Sequence, residues 1–485
     1  MERMNVKVLL LFVLVVFTHI MFNQSLQLHF DEAYYWVWSK NLQLSYYDHP
    51  PMIAYLIRLT TLVSDQALFI RLTAVLCSTV TIIMIYLSTK RLFGQKAADI
   101  SVIMALAWPI LEGDFFITTI DCPLMMFWSV TLYFLIQGLI FEKKSAIYAS
   151  GVALGCALLS KYTAILILPG VLIFLLLSPQ KRHLLFKKDV YLALLLALLV
   201  FSPVIVWNYQ HDWVSFAFQF HHGVASERQV NLAGLWDYIG ATIGAANPFI
   251  SLPLLTFLFI KRKQFINNPK YLLLVCVFVF VVLFFAYNSL YKFMEANWVA
   301  PAFISGIIFL AACLAEYNIK WTYRVAITLV LILLPIIKMP KIFVPREYRS
   351  KIPAINAFMG NAQLYNQINN NYLQPDDIIL ACDYGNASRG WYYLNRGRTY
   401  VLSNFKYSNS YSDWNKDLSL PIKNAVYFCD GNDPVYQEQL KAYFKNIEEL
   451  PTVGYRDSFV NNKLYVYRLS NKRINYEKND NYCNV

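Results

Sequence analysis

Charge is scarce in this chain: Asp, Glu, Lys and Arg make up 15% of its 485 residues, where a soluble globular protein carries about a quarter. With 57% of residues hydrophobic, a water-soluble surface around the whole chain is excluded. The 8 cysteines include no CxxC pair, which removes the usual zinc-ribbon and thioredoxin-like readings. No P-loop or Rossmann glycine fingerprint is present, so nothing signals a nucleotide site. Internal repeats and low-complexity linkers are also missing. The net charge of +12 comes without a long Lys/Arg tract, which argues against nucleic acid as a partner.

Long apolar runs are what the sequence has in excess. A hydrocarbon core of about 30 Å needs roughly 20 residues of helix. Eleven spans are expected, at about 6–22, 67–89, 97–111, 123–141, 146–160, 163–178, 189–207, 240–260, 271–287, 298–315 and 322–338. The first run is similar to a signal-peptide core, but no small-residue cleavage site follows it, so it is expected to remain as the first helix. With the amino terminus inside, seventeen Lys and Arg fall in cytoplasmic loops, among them Lys90, Arg91, Lys143, Lys144, Lys261 and Arg262. The opposite loops hold five: Lys40, Arg58, Lys161, Arg228 and Lys292. That bias sets the orientation.

Past residue 338 the long apolar runs end. Short apolar segments at Ile378–Cys382, Ala425–Cys429 and Leu464–Tyr467 read as strands and Tyr436–Phe444 as a helix. The expected organisation is a transmembrane catalytic domain over residues 1–340 and a small α/β domain over 345–485, placed outside the cytoplasm by the odd span count. Cys382, Cys429 and Cys483 in this tail leave room for one disulfide and one thiol.

The polar residues that remain gather on the outer side. Asp31-Glu32-Ala33-Tyr34-Tyr35-Trp36 and Tyr46-Tyr47-Asp48-His49-Pro50-Pro51 follow the first span, and polar groups beside a span are functional candidates. On a helix Asp31 and Tyr35 share a face, which Trp38 continues. A carboxylate beside an aromatic platform suits sugar chemistry: the acid accepts a proton or balances charge at an anomeric carbon, while the ring packs on the sugar. An interfacial aromatic belt is the simpler alternative, but a belt needs no second acid and no histidine. Pro50-Pro51 fixes where His49 points. Asp114 and Asp121, seven apart, are expected to share a helical face. A divalent cation is left open, with Asp114, Asp121 and His222 as candidate ligands, although two carboxylates are too few to specify one. Lys161 sits between two spans, where it either snorkels or holds a phosphate. Lys292 and Glu295 are spaced for an ion pair on one helix turn. His221-His222 lacks an evident third zinc ligand, and Arg228 beyond it reads as an anion contact.

These elements in order, DExxY (Asp31, Glu32, Tyr35), YxxHPP (Tyr46, His49, Pro50, Pro51), Thr119-Ile120-Asp121-Cys122-Pro123-Leu124, Ser160-Lys161-Tyr162 and Glu295-Ala296-Asn297-Trp298, resemble the GT-C glycosyltransferases that use polyprenyl-phosphate sugars. The nearest likeness is to bacterial enzymes that decorate lipid A or lipopolysaccharide core with aminoarabinose, galactosamine or galacturonic acid. Protein O-mannosyltransferases are more distant. The resemblance implies a polytopic α-helical membrane protein of GT-C type in the bacterial inner membrane, with its active site periplasmic. The implied reaction moves one sugar from an undecaprenyl-type phosphate donor to lipid A or lipopolysaccharide core. Asp31 and Glu32 would be the catalytic carboxylates. Tyr35, Tyr46, Asp48, His49, Lys161, Lys292 and Arg228 would face the donor and its phosphate; Asp121, Glu295, Asn297 and Trp298 would face substrate. His49 departs from the lysine of the aminoarabinose transferases, and it is fully charged only when protonated. Protein O-mannosylation and lipid-linked-sugar transport are the alternatives. Transporters favour midplane sites and repeats, and neither is evident here.

Overall fold

Every apolar run expected to span the membrane carries helix, though not always as one straight rod. The computed structural model describes residues 3–223, 230–345, 348, 357–402, 409–414, 422–431, 434–457 and 460–473. The chain divides into two compact units, one of residues 1–24 and 42–338 and the other of residues 25–41 and 339–485. The Asp31 segment therefore groups with the C-terminal residues rather than with the spans that flank it in sequence.

In the first unit, five helices among the described residues are long and apolar enough to cross a membrane: Val6–Ser25, Ala67–Phe93, Asp121–Ile140, Lys188–Gln210 and Pro269–Ser289. Four shorter apolar helices accompany them: Lys144–Leu158, Tyr162–Leu177, Ala300–Glu316 and Trp321–Ile336. Leu10, Val13, Leu14 and Phe17 on the first helix and Leu195, Leu198 and Leu199 on Lys188–Gln210 are exposed. Apolar side chains left uncovered along whole helices need lipid as their solvent, so this is a polytopic membrane protein.

Local chemistry explains the breaks. The helix Ala67–Phe93 ends on Lys90 and Arg91, and Gly94 at φ 86° turns the chain into the next helix, Gln95–Leu106. Gly151 and Gly155 form a small-xxx-small stripe on Lys144–Leu158. A Cβ at Gly151 would lie 2.1 Å from the Ala193 carbonyl oxygen of Lys188–Gln210, so only glycine permits this approach. The expected span 240–260 is instead two helices, Leu232–Ala245 and Pro248–Ile260, bent by 110°. Pro248 bars helical backbone at the preceding residue. Asn247 takes φ 68°, caps the second helix by accepting from Phe249 N, and donates through Nδ2 to Ala107 O. The first helix is pinned by a buried polar chain: Lys338 Nζ lies 2.8 Å from His19 Nδ1 and 3.0 Å from Asn23 Oδ1, and His19 Nε2 lies 2.9 Å from Glu112 Oε2. Buried polar groups persist where they are so satisfied.

The second unit is mixed α/β. Its strands β1 (Ile378–Ala381), β2 (Tyr400–Val401), β3 (Asn424–Cys429), β4 (Phe444–Arg456) and β5 (Asn461–Lys472) form one sheet in the order β2-β1-β3-β5-β4. β2, β1 and β3 run parallel, while β5 is antiparallel to both β3 and β4. The helix Phe30–Lys40 packs on the helix Tyr384–Leu394, with Trp36 edge-on to Tyr392 at 5.2 Å. Cys382 and Cys429 form a disulfide across the ends of β1 and β3, 47 residues apart; Cys483 lies outside the described residues. Closing a loop of that length stabilises a fold by about 4 kcal/mol in the chain-entropy account. Replacing both cysteines by alanine should cost the peptides of β1 and β3 that much protection in hydrogen-exchange mass spectrometry. Unchanged exchange would show that the bond contributes nothing there.

Candidate active site

Three sequence motifs of the membrane unit converge on one carboxylate. Asp121 opens the helix Asp121–Leu135, where the helix dipole favours an anion. Lys161 caps the short 3-10 turn Tyr162–Leu166 in extended conformation. Lys161 Nζ lies 2.7 Å from Asp121 Oδ1, and Asn297 Nδ2 donates to Asp121 Oδ2 at 2.8 Å. Both members of the ion pair are about nine-tenths buried. Asp121 thus has a partner on each oxygen, and Lys161 spends one of its three donors on it.

Asp114 lies close enough for its carboxyl to feel Asp121, yet the two do not share a helix face as expected. Asp114 ends the short helix Pro109–Asp114 and Asp121 begins the next, because turns over residues 115–120 separate them. Burial pushes the Asp114 carboxyl well above the usual carboxylate range, and the Asp121 charge adds to this. Its Oδ2 has no hydrogen-bond partner among the described residues. Burial thus disfavours the anionic form of Asp114, and both Asp121 oxygens already have partners. The candidate metal ligand His222 lies in the helix Val214–Gly223, but its side chain, like Arg228 and Glu227, falls outside the described residues. Among the described residues the one cluster with metal-ligand spacing is Cys382, Cys429 and Asp430, and its sulfurs are bonded to each other.

The HPP segment is held by the same unit. The helix it starts is Met52–Thr60, tied in by Met52 N donating to Leu159 O at 3.0 Å, two residues from Lys161. Gln219 reaches in from Val214–Gly223: its Nε2 donates to Asp48 O at 2.6 Å and lies 3.2 Å from His49 Nδ1. Asp48 and His49 are half-buried. Tyr46 is fully buried, its hydroxyl accepts from Gln43 N, and burial pushes its phenol up; in this arrangement it shapes the loop. Lys292 and Glu295 do not lie on one helix turn. Residues 290–299 are turns between the helices ending at Ser289 and starting at Ala300, with Glu295 exposed, Lys292 half-buried and Trp298 against Phe285 at 6.2 Å.

In the second unit the helix Phe30–Lys40 presents two adjacent acids in different states. Glu32 is fully buried and closes a capping box: its Oε2 accepts from His29 N at 2.9 Å while the His29 side chain accepts from Asp31 N. Such boxes satisfy donors that a helix start leaves open. Asp31 is a third exposed; His29 Nδ1 lies 3.4 Å from its Oδ2, and the Tyr384 hydroxyl donates to its Oδ1 at 3.4 Å. Tyr35 is nearly buried against Trp38, ring centroids 5.2 Å apart. The hydroxyl of Tyr34 accepts from Ser410 N. Sequence reading did not single out His29, Gln219 or Tyr384; the S/T/D/N-x-x-E pattern that marks capping boxes is met here by histidine, which hid the first.

Comparison with known proteins follows the same lines. Residues 48–207 match the family model described as dolichyl-phosphate-mannose-protein mannosyltransferase. The lipid A galacturonosyltransferase RgtD of Rhizobium johnstonii is 30% identical over 285 residues. That alignment covers 57% of this chain and 59% of the relative's length. The crystal structure of ArnT from Cupriavidus metallidurans in the apo state superposes with a TM-score of 0.66 at 15% identity, covering 94% of this chain and 97% of that one. The same enzyme bound to undecaprenyl phosphate gives 0.65 over the same coverage, also at 15% identity. An oligosaccharyltransferase from Archaeoglobus fulgidus, at 12% identity, gives 0.51 over 94% of this chain and 72% of that one. The partial sequence matches and the shared fold agree: over these stretches the chain is similar to membrane glycosyltransferases that use lipid-linked sugars, and its fold is that of the ArnT structures.

Proposed function

We propose that the protein transfers one sugar from an undecaprenyl-type phosphate donor to lipid A or lipopolysaccharide core. The observation that carries this reading is the buried Asp121–Lys161–Asn297 cluster, assembled from motifs 40 and 176 residues apart. A transporter has no evident need for a fixed, paired cation at that place. The relative that acts on lipid A and the neighbour bound to undecaprenyl phosphate support the acceptor and donor classes. In the reaction an acceptor oxygen attacks the anomeric carbon and the bond to the donor phosphate breaks, its electron pair leaving on the lipid phosphate. A hydroxyl acceptor gives its proton to Asp31; a lipid A phosphate is already ionised, and Asp31 then orients it. Lys161 has two donors beyond Asp121 for the departing phosphate, and His49, Lys292 and Arg228 are the further cations assigned to that group. Tyr35 and Asp48 line the donor side, and the buried Tyr46 holds the loop that carries Asp48; Glu295 and Trp298 act with Asn297 on substrate.

The reading extends to eleven spans in the bacterial inner membrane, a catalytic domain over residues 1–340, of which residues 25–41 group with the second unit, and a periplasmic domain over 345–485. The Cys382–Cys429 disulfide supports that orientation, since such bonds persist in oxidising compartments. An alkaline phosphatase fusion after residue 485 should be active and a green fluorescent protein fusion dark; the reverse would put the proposed site on the wrong side. Purified protein given undecaprenyl-phosphate galacturonate and lipid A should yield lipid A heavier by one sugar and one free undecaprenyl phosphate per transfer. Label in a protein acceptor would favour O-mannosylation chemistry, and donor crossing vesicles uncleaved would favour transport.

A further inference from the structure

The C-terminal unit contains a cavity of about 510 Å³ whose lining includes none of the residues assigned above to sugar transfer. It is edged by Asn361, Asn386, Arg389, Asp430, Lys463 and Tyr465, and only three of its twelve lining residues are aliphatic. The volume falls within the roughly 300–1,000 Å³ of small-molecule sites, but those are usually apolar; this lining would reject a lipid chain. Arg389, on the helix Tyr384–Leu394, is gripped by neutral acceptors. Its Nη1 donates to Asn361 Oδ1 at 3.1 Å and its Nη2 to Asn386 Oδ1 at 3.3 Å.

Both amides are themselves fixed, Asn361 Nδ2 donating to Ala357 O and Asn386 Nδ2 to Asp383 Oδ2. The guanidinium is therefore oriented without its charge being cancelled by a hydrogen-bonded carboxylate, and its buried Nε–H has no partner among the described residues. Lys463, exposed on β5, adds a second positive charge and Asp430 one negative. The lining thus carries a net charge of one positive, with an aromatic ring and a carboxylate beside the cations. A planar guanidinium fork matches carboxylate or phosphate oxygens, while a carboxylate and a ring suit sugar hydroxyls and a sugar's apolar face.

We infer that this cavity binds an acidic saccharide, its acid group on Arg389 and Lys463 and its hydroxyls on Asp430. The acid group is a carboxylate or a phosphate ester, and the test separates the two. Full-length protein in nanodiscs would be titrated with galacturonate, galactose 1-phosphate, galactose and inorganic phosphate by saturation-transfer difference NMR. At least one anionic sugar should bind about 10-fold or more tightly than galactose, the effect of one charge-assisted hydrogen bond, and more tightly than phosphate. Which of the two does so identifies the acid group. Lys463→Gln and Arg389→Lys should each erase that preference, and Asp31→Asn should keep it, which separates this cavity from the transfer site. Equal binding of galactose, phosphate binding as well as either anionic sugar, no binding, or parental affinity in both cavity variants would overturn the assignment. Lys463 is exposed, so its variant reports even if Arg389→Lys fails to fold.

Discussion

Asp31→Asn is expected to lower sugar transfer by at least about 100-fold while the protein still folds and inserts, the usual range for loss of an acid–base group. The amide keeps the shape of the side chain and can still accept from the Tyr384 hydroxyl, 3.4 Å from Oδ1, but it can neither take a proton nor carry charge. Its neighbour supplies the control. Glu32→Gln removes a charge from a fully buried capping box while leaving an oxygen to accept from His29 N. It should cost about 1 kcal/mol of stability, as helix caps do, and leave turnover of the folded fraction near parental. Initial rates with purified donor and lipid A, normalised to folded protein, read both. If Glu32→Gln loses turnover and Asp31→Asn does not, the catalytic carboxylate has been assigned to the wrong member of the pair.

The sequence makes the candidates legible and leaves their relations hidden. Asp31 and Glu32 stand side by side in one motif, and nothing in the string tells which is buried; the cap decides, and it runs through a histidine that seldom fills that role. Asp121, Lys161 and Asn297 were each readable as polar residues at span ends. Their convergence was not, because partners 40 and 176 residues apart carry no spacing rule. Period and spacing also overreach. Lys292 and Glu295 fit a helix turn that the chain does not make, and 240–260 reads as one apolar run although Asn247 and Pro248 bend it by 110°. β1, β3 and β5 were visible as buried apolar strands. β4 was not, since it is an edge strand carrying Pro451 near a register shift at Leu450/Val453, mostly uncovered along its length.

Lys161→Ala should be the most damaging single change in the membrane unit, for two separable reasons. It strands the Asp121 carboxylate, which is nine-tenths buried and then keeps only Asn297 as partner. Breaking a buried pair on one side typically costs about 3–5 kcal/mol. If Lys161 also meets the departing phosphate, its loss weakens the transition state more than the ground state, so turnover falls as well as apparent affinity. The double variant Lys161→Met with Asp121→Asn tells the two apart. It removes both charges, keeps the bulk, and lets an amide at residue 121 bond Asn297, so thermal stability should return to within about 1 kcal/mol of the parent, as neutral replacements of buried pairs often do. Transfer should stay at least about 10-fold down, the effect of losing one hydrogen bond to a charged group. Were the double variant to recover both stability and turnover, the pair would be a structural clasp alone, and the phosphate would be held by the cations at residues 49, 228 and 292.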